Sequence, residues 1–263
     1  MCRTGLQHIF RDEKINFITL PTVTNLLVDI GNSSVKACFA DALRLEEPHR
    51  YYGNDILEFI SALCSNRETG VIAISSVRKL AASYFQPLES KCNKLVVVGP
   101  DTKLPLENRY STPGTLGTDR LMASVAATSL FPGKDIIVFD FGTALTIDFI
   151  TKEGEFSGGN ISLGLSSRFK ALNNYTQQLP LLEPPMKISG VGTSTNEAIE
   201  SGIVLGAIFE VEGYINKYPN HIYIFTGGDA IYFAEKLKSS IFVVYNLVLM
   251  GLARVAEDYA KNI

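Results

Sequence analysis

Two segments of this 263-residue chain repeat one pattern: LLVDIGNSS at 26–34 and IVFDFGTAL at 137–145. Each is an apolar run ending in Asp, followed by one residue, a glycine and a small polar residue. Each then resumes as a second strand-like run, Val35–Ala40 or Ala144–Ile150. Turn residues between two such runs predict a β-hairpin. A unit met twice predicts two similar α/β domains. Between the hairpins, strand candidates at Val71–Ile74 and Leu95–Val98 alternate with helical stretches at Asp55–Leu63 and Val77–Leu88, the α/β pattern. We expect an N-terminal extension at 1–24, a first domain at 25–132 and a second at 133–263, joined tightly near Phe131-Pro132-Gly133.

In the second half, Gly158-Gly159-Asn160-Ile161-Ser162 leads into an expected helix at Leu165–Gln178, and Thr195–Tyr218 reads as a long helix. Ile222–Phe225 reads as a strand that stops at Thr226-Gly227-Gly228-Asp229-Ala230. A helix at Ile231–Leu237, a strand at Ile241–Val244 and a helix from Asn246 to Ala260 close the chain.

Composition narrows the function. Charged residues make up 19% and the formal net charge is −3, so no positive field draws nucleic acid or anionic lipid. No stretch of about 18 apolar residues runs without a charge, the length a membrane span needs. The first twenty residues carry Arg3, Arg11, Asp12, Glu13 and Lys14, unlike a secretory signal. A cytoplasmic protein with a small-molecule substrate, and with neither nucleic acid nor membrane as partner, is expected. Cys2, Cys38, Cys64 and Cys92 form no C-x-x-C pair, and His8, His49 and His221 show no ligand spacing, so the cysteines read as buried or half-buried thiols.

A hairpin turn of Gly and small polar residues leaves successive backbone N–H groups free, and such concave arrays bind phosphate oxygens. Two of them can clamp a polyphosphate. Asp29 and Asp140, at the ends of the two first strands, would then face the phosphates, and a carboxylate there implies Mg2+ held largely through water. An ordinary hairpin with Asp accepting turn N–H groups explains one copy; it explains two poorly. The glycines of Thr226-Gly227-Gly228-Asp229-Ala230 would let a flat group such as adenine approach the backbone.

Tyr110 to Arg120, YSTPGTLGTDR, is a loop that opens an apolar helix. Thr118 or Asp119 suits capping. Arg120 does not, since a cation at a helix N-terminus has the unfavourable sign, so it serves an anion, either a substrate carboxylate or a neighbouring acid. Lys36 points either to the phosphates or to solvent. Gly202, Gly206 and Gly213 along the long helix imply close approach by a neighbouring helix, a nucleotide or a partner subunit. Neither a P-loop nor a complete dinucleotide fingerprint is present.

In order, the segments DIGNSSVK (29–36), Tyr110, GTDR (117–120), DFGTALTID (140–148), GGNISLG (158–164), GTSTNEAIESG (192–202) and TGGDA (226–230) resemble the type III pantothenate kinases. The resemblance implies two ribonuclease H-like, actin-like ATPase domains with mixed sheets flanked by helices. It also implies ATP contacts from Asp29, Ile30, Gly31, Asn32, Ser33, Ser34, Val35, Lys36 and Thr143, and a monovalent cation, K+ or NH4+, on Asp140. Asp119 would accept the proton of the pantothenate hydroxyl, in a site lined by Tyr110, Gly117, Thr118, Asp119, Arg120 and Thr195. Family members form homodimers with the substrate site near the subunit interface. Ser33 stands where threonine is common, and Leu163 replaces a usual proline. The competing readings are a non-catalytic regulator and a kinase of another small alcohol. The three acids Asp29, Asp119 and Asp140 speak against the first, and GTDR with Tyr110 against the second.

Overall fold

The computed structural model describes residues 23–65 and 67–261. The expected N-terminal extension lies outside the described residues apart from its last two, and so does Cys2. The first hairpin forms as the sequence dictates: β1 (Thr24–Ile30) pairs antiparallel with β2 (Val35–Asp41) across the Gly31–Ser34 turn. Short edge strands β3 (Arg44–Leu45) and β4 (His49–Tyr51) both pair with β2. Helix α1 (Ile56–Cys64) follows, its Asp55 side chain accepting the Glu58 N–H and its Ile56, Ile60 and Cys64 buried at four-residue spacing. Strand β5 (Thr69–Ser76) then lies parallel to β1, and β6 (Lys94–Val97) parallel to β5. The sheet order is β3-β2-β1-β5-β6.

The second half repeats this plan. After β7 (Glu107–Asn108) and helix α2 (Thr118–Leu130), strands β8 (Ile136–Phe141), β9 (Ala144–Ile150) and β10 (Glu155–Leu163) run as an antiparallel meander. Helices α3 (Leu165–Asn174) and α4 (Thr195–Lys217) intervene before β11 (Ile222–Gly227), which joins parallel to β8. Helix α5 (Ala230–Ala234), strand β12 (Ile241–Val243) and helix α6 (Leu247–Ala260) complete the chain. Reading outward from each hairpin, the orders β3-β2-β1-β5-β6 and β10-β9-β8-β11-β12 are the same, with β7 added parallel at the edge of the second sheet.

Three elements differ from the sequence reading, two of them for local causes. The helix expected at Val77–Leu88 is a 3-10 helix at Ala82–Lys91, because Pro87 inside it lacks the N–H that α-helical bonding needs. Strand β10 went unpredicted, since Gly158 and Gly159 depress strand propensity in its middle. Helix α5 is shorter than expected. Cys38 and Cys64 are buried and Cys92 half-buried, all as free thiols.

The core has three layers. One lies between the sheets, where Leu27 and Ala73 of the first and Val138 and Ile224 of the second pack on α2 and α6. Eight successive residues of α2, Arg120–Ala127, are buried, as a helix enclosed on all sides requires. At the crossing of the two helices a side chain on Gly251 would strike the backbone of Met122, so only glycine fits there. The outer layers are α1 with the 3-10 helix on the first sheet, and α3, α4 and α5 on the second. Both hairpin turns therefore open toward the cleft above α2 and α6.

Candidate active site

In the first turn Gly31 N–H is donated to Ser34 O at 3.0 Å, while the N–H groups of Asn32, Ser33 and Ser34 have no partner among the described residues. That is the free array a phosphate-binding turn needs. Ile30 and Val35 are buried at its base and supply the pairing that closes it. The turn is held from behind by Arg78, whose Nε donates to Gly31 O at 2.9 Å. In the second turn Gly142 N–H goes to Ala144 O at 3.0 Å, and Thr143 O accepts Gly164 N–H and the Ser167 hydroxyl, leaving the Thr143 side chain exposed. Where the first strands of the two hairpins end lies a cavity of about 210 Å3 lined by Asp29, Lys36, Asp140, Gly227, Gly228 and Asn246, among others. At Gly228 an added side chain would meet nothing within 4 Å, whereas Gly227 sits directly against Asp140 and Phe141. The open approach foreseen for both glycines belongs to Gly228.

The acceptor side is built by α2. Its N-cap is Gly117, which offers no side-chain cap. The Thr118 hydroxyl is spent on the end of β5, at 2.9 Å from Ser75 Oγ and accepting Ser76 N–H at 3.0 Å. Asp119 Oδ1 accepts only the N–H of Arg120 among the described residues, at 2.8 Å, so its second oxygen remains for another donor. Arg120 is 6% exposed and its Nε donates to Asp148 Oδ1 at 2.8 Å. Of the two anions its position called for, the neighbouring acid is present. The guanidinium also lies 5.8 Å from the Tyr110 ring centre and 5.6 Å from that of Phe156. Gly159 makes room for this pair, because a side chain there would strike Asp148 and Arg120.

Three carboxylates from three elements meet in this cleft. Burial pushes Asp29 up to about 6, with Lys36 opposing and Asp119 reinforcing the rise. Burial pushes Asp140 up to about 7, and the charges of Asp119 and Asp29 add to it. Asp119 is also raised, chiefly by burial. Burial is the main cause in all three, with repulsion between the acids adding to it at Asp29 and Asp140. Among the described residues no three acidic, histidine or cysteine side chains form a metal cage. Asp29 and Asp140 would suit an ion held largely through its own water.

The structure thus brings Asp29 to Lys36, Asp140, Tyr110, Gly117, Thr118, Asp119 and Arg120 to one cleft. It does not bring Thr195 there by any contact. Thr195 is exposed at the first turn of α4, on the layer covering the opposite face of the second sheet. Side chains added at Gly202, Gly206 or Gly213 would meet nothing within 4 Å, so no neighbouring helix of this chain explains those glycines. Sequence reasoning missed Asp148, Arg78 and Arg50. Asp148 carried a signal, an acid inside an apolar strand; the two arginines sit in segments with no pattern around them.

The strand register lines up residues facing the cleft. In the first sheet Ser75, Asp29, Lys36 and Arg50 stand directly opposite one another across β5, β1, β2 and β4. In the second, the equivalent row is Thr226, Asp140, Thr146 and Ile161.

Comparison with known proteins agrees with this architecture. A type III pantothenate kinase of Phocaeicola vulgatus is 42% identical over 235 residues, covering 88% of this chain and 97% of its own length. A solved structure from Campylobacter jejuni, named for a Baf family transcriptional activator, superposes with a TM-score of 0.62 at 20% identity, covering 90% of this chain and 100% of that one. The activator of 2-hydroxyisocaproyl-CoA dehydratase from Clostridium difficile, solved with bound ADPNP, gives a TM-score of 0.51 at 12% identity, over 91% of this chain and 96% of that one. These likenesses show the actin-like ATPase fold. The family model for type III pantothenate kinase matches residues 25–217, and with the two hairpin turns, the GTDR helix start and the relative at 42% identity it places this chain in the type III pantothenate kinase family.

Proposed function

We propose that this protein transfers the γ-phosphoryl group of ATP to pantothenate, giving 4′-phosphopantothenate and ADP, the first step of coenzyme A biosynthesis. The observation that carries the reading is the meeting of Asp29, Asp140 and Asp119 in one cleft beside the free N–H array of the first hairpin turn, in a member of this family. The nucleotide lies between domains 25–132 and 133–263, with its phosphates on Asp29 to Lys36 and Thr143. Tyr110, Gly117, Thr118 and Arg120 line the pantothenate site, and Arg120, fixed by Asp148, presents its remaining N–H groups to the substrate carboxylate.

Phosphoryl transfer to an alcohol is mainly positioning and charge stabilisation. The pantothenate hydroxyl oxygen bonds to the γ-phosphorus as the bond to the β–γ bridging oxygen breaks, and the hydroxyl proton passes to Asp119. The raised pKa of Asp119 suits a proton acceptor. Mg2+, and a monovalent cation at Asp140, would supply charge neutralisation for the phosphates when bound. We assign a homodimer to the open α4 face, which carries Gly202, Gly206 and the 62% exposed Phe209, and which would set Thr195 at a subunit boundary. The described residues contain no helix long and apolar enough to cross a membrane, and we propose a cytoplasmic location.

The test is to incubate the purified protein with ATP, Mg2+ and a panel of alcohols, in K+, in NH4+ and in a bulky organic cation, and to weigh the products. A mass gain on pantothenate, faster in K+ or NH4+, is expected. Phosphorylation of a different alcohol alone would overturn the substrate, equal rates in all three cations the ion at Asp140, and single-chain light scattering throughout a dilution series the dimer.

A further inference from the structure

We propose that Arg50 binds the polyphosphate of the nucleotide, on a phosphate that stays with ADP; this rests on the ATP reading above. Arg50 lies on β4 directly opposite Lys36, which lies opposite Asp29, so the three side chains share one face of the sheet and line the same cavity.

The guanidinium has no protein partner among the described residues. Arg67, Arg109, Arg120, Arg168 and Arg254 each pair with a carboxylate, and Arg78 donates to Gly31 O. Arg44 and Arg50 do neither, and of the two only Arg50 lies in the cavity with Asp29 and Asp140. The fold itself does not demand a cation there. At the equivalent positions of the second sheet stand Thr146 for Lys36 and Ile161 for Arg50, on strands paired the same way. Two cations side by side in one copy, and none in the other, mark a need of the ligand.

Position along the row decides which phosphate. Ser75, at the far end, touches Thr118, the residue before Asp119, so the proton acceptor stands at that end. Arg50 stands three strands away, roughly 14 Å at the usual strand spacing. The transferred phosphoryl group belongs near Asp29 and Asp119, and the retained phosphates reach outward to Lys36 and Arg50. The planar fork of arginine can hold two non-bridging oxygens at once.

The experiment measures binding of ADP and ATP, each with Mg2+, by calorimetry to the full chain and to Arg50→Gln and Arg50→Lys, beside steady-state rates. Arg50→Gln should weaken both nucleotides by about 10- to 100-fold, the usual worth of a charged hydrogen bond. The KM for ATP should rise in step with the nucleotide dissociation constants while the KM for pantothenate stays within about 3-fold, and Arg50→Lys should recover part of the loss. Adenosine should bind all three proteins alike. Unchanged ADP affinity in Arg50→Gln would overturn the inference while leaving the ATP reading intact, as would equal losses for ADP and adenosine, which would mark a structural role. An unsubstituted protein that binds neither nucleotide would overturn both.

Discussion

The two halves of this molecule share a strand order yet put different chemistry into the cleft between them. In the first half the row facing the cleft is Ser75, Asp29, Lys36 and Arg50; in the second it is Thr226, Asp140, Thr146 and Ile161. One position is kept in kind, the carboxylate at the end of the hairpin's first strand. Two residues before it the relation reverses: Leu27 faces the buried thiol of Cys38 in the first sheet, whereas Val138 faces the buried carboxylate of Asp148 in the second. The helices that follow also differ, since α2 enters the cleft with Asp119 and Arg120 while α6 enters with Leu247 and Val248. The backbone plan fixes where side chains can act, and the substitutions within it divide the labour. The first sheet carries the cations. The second carries the anchor of Arg120.

The sharpest way to break this division is Asp119→Asn. Turnover should fall by about 10² to 10⁴, the worth of a positioned general base, with pantothenate binding within a few-fold by calorimetry. The helix α6 offers no acid at the matching place. Normal turnover would reduce the difference between the helices to packing.

Next in size is Asp148→Ala, which leaves the Arg120 charge buried and unpaired. A loss of about 3 to 5 kcal/mol in denaturant unfolding is expected, the usual cost of breaking a buried pair from one side. A loss below about 1 kcal/mol would show that water reaches Arg120 and that the pair behaves as an exposed one.

The smallest effect is the most discriminating between the hairpins. A carboxylate whose pKa is raised by folding adds nothing against the fold below its unfolded value, and costs stability as pH rises through the folded value. For Asp140, pushed up to about 7, that window runs from about pH 4 to 7. Asp140→Asn should therefore stabilise the cation-free protein at pH 8 by about 1 to 3 kcal/mol, and not at pH 4. Asp29→Asn should gain less, because Lys36 is the largest influence after burial on Asp29, whereas at Asp140 the charges of Asp119 and Asp29 come ahead of it. Thermal melts of both variants across pH read the difference directly; equal gains would show that Lys36 does not separate the two turns.

The hairpins were legible because their turn residues and flanking apolar runs are local. Asp29, Asp140 and Asp119 each stood beside a glycine-bearing turn or a helix start, and so announced themselves. Arg50 did not, because its meaning depends on register: only when β4 pairs with β2 does it come opposite Lys36. Arg78 likewise acquires its role from Gly31, 47 residues away. Asp148 was visible as an acid among apolar residues, but its partner lies 28 residues earlier and needs the α2 geometry to reach it. The helix expected at 77–88 is displaced to a 3-10 helix at Ala82–Lys91, where Pro87 lacks the N–H that α-helical bonding needs.

The crossing of α2 and α6 at Met122 and Gly251 has a mechanical meaning. Backbone pressed against backbone makes a fulcrum, and the cleft-facing ends lie close to it: Asp119 is three residues away along one helix and Asn246 five along the other, about 5 and 8 Å at helical rise. A rotation of one half against the other about that point has short arms at Asp119 and Asn246 and long arms at the outer strands. Closing through ten degrees would shift the proton acceptor by only about 1 Å, on those helical distances, while the β4 edge swings several times further. In such a rotation the groups nearest the crossing would move least and the β4 edge most.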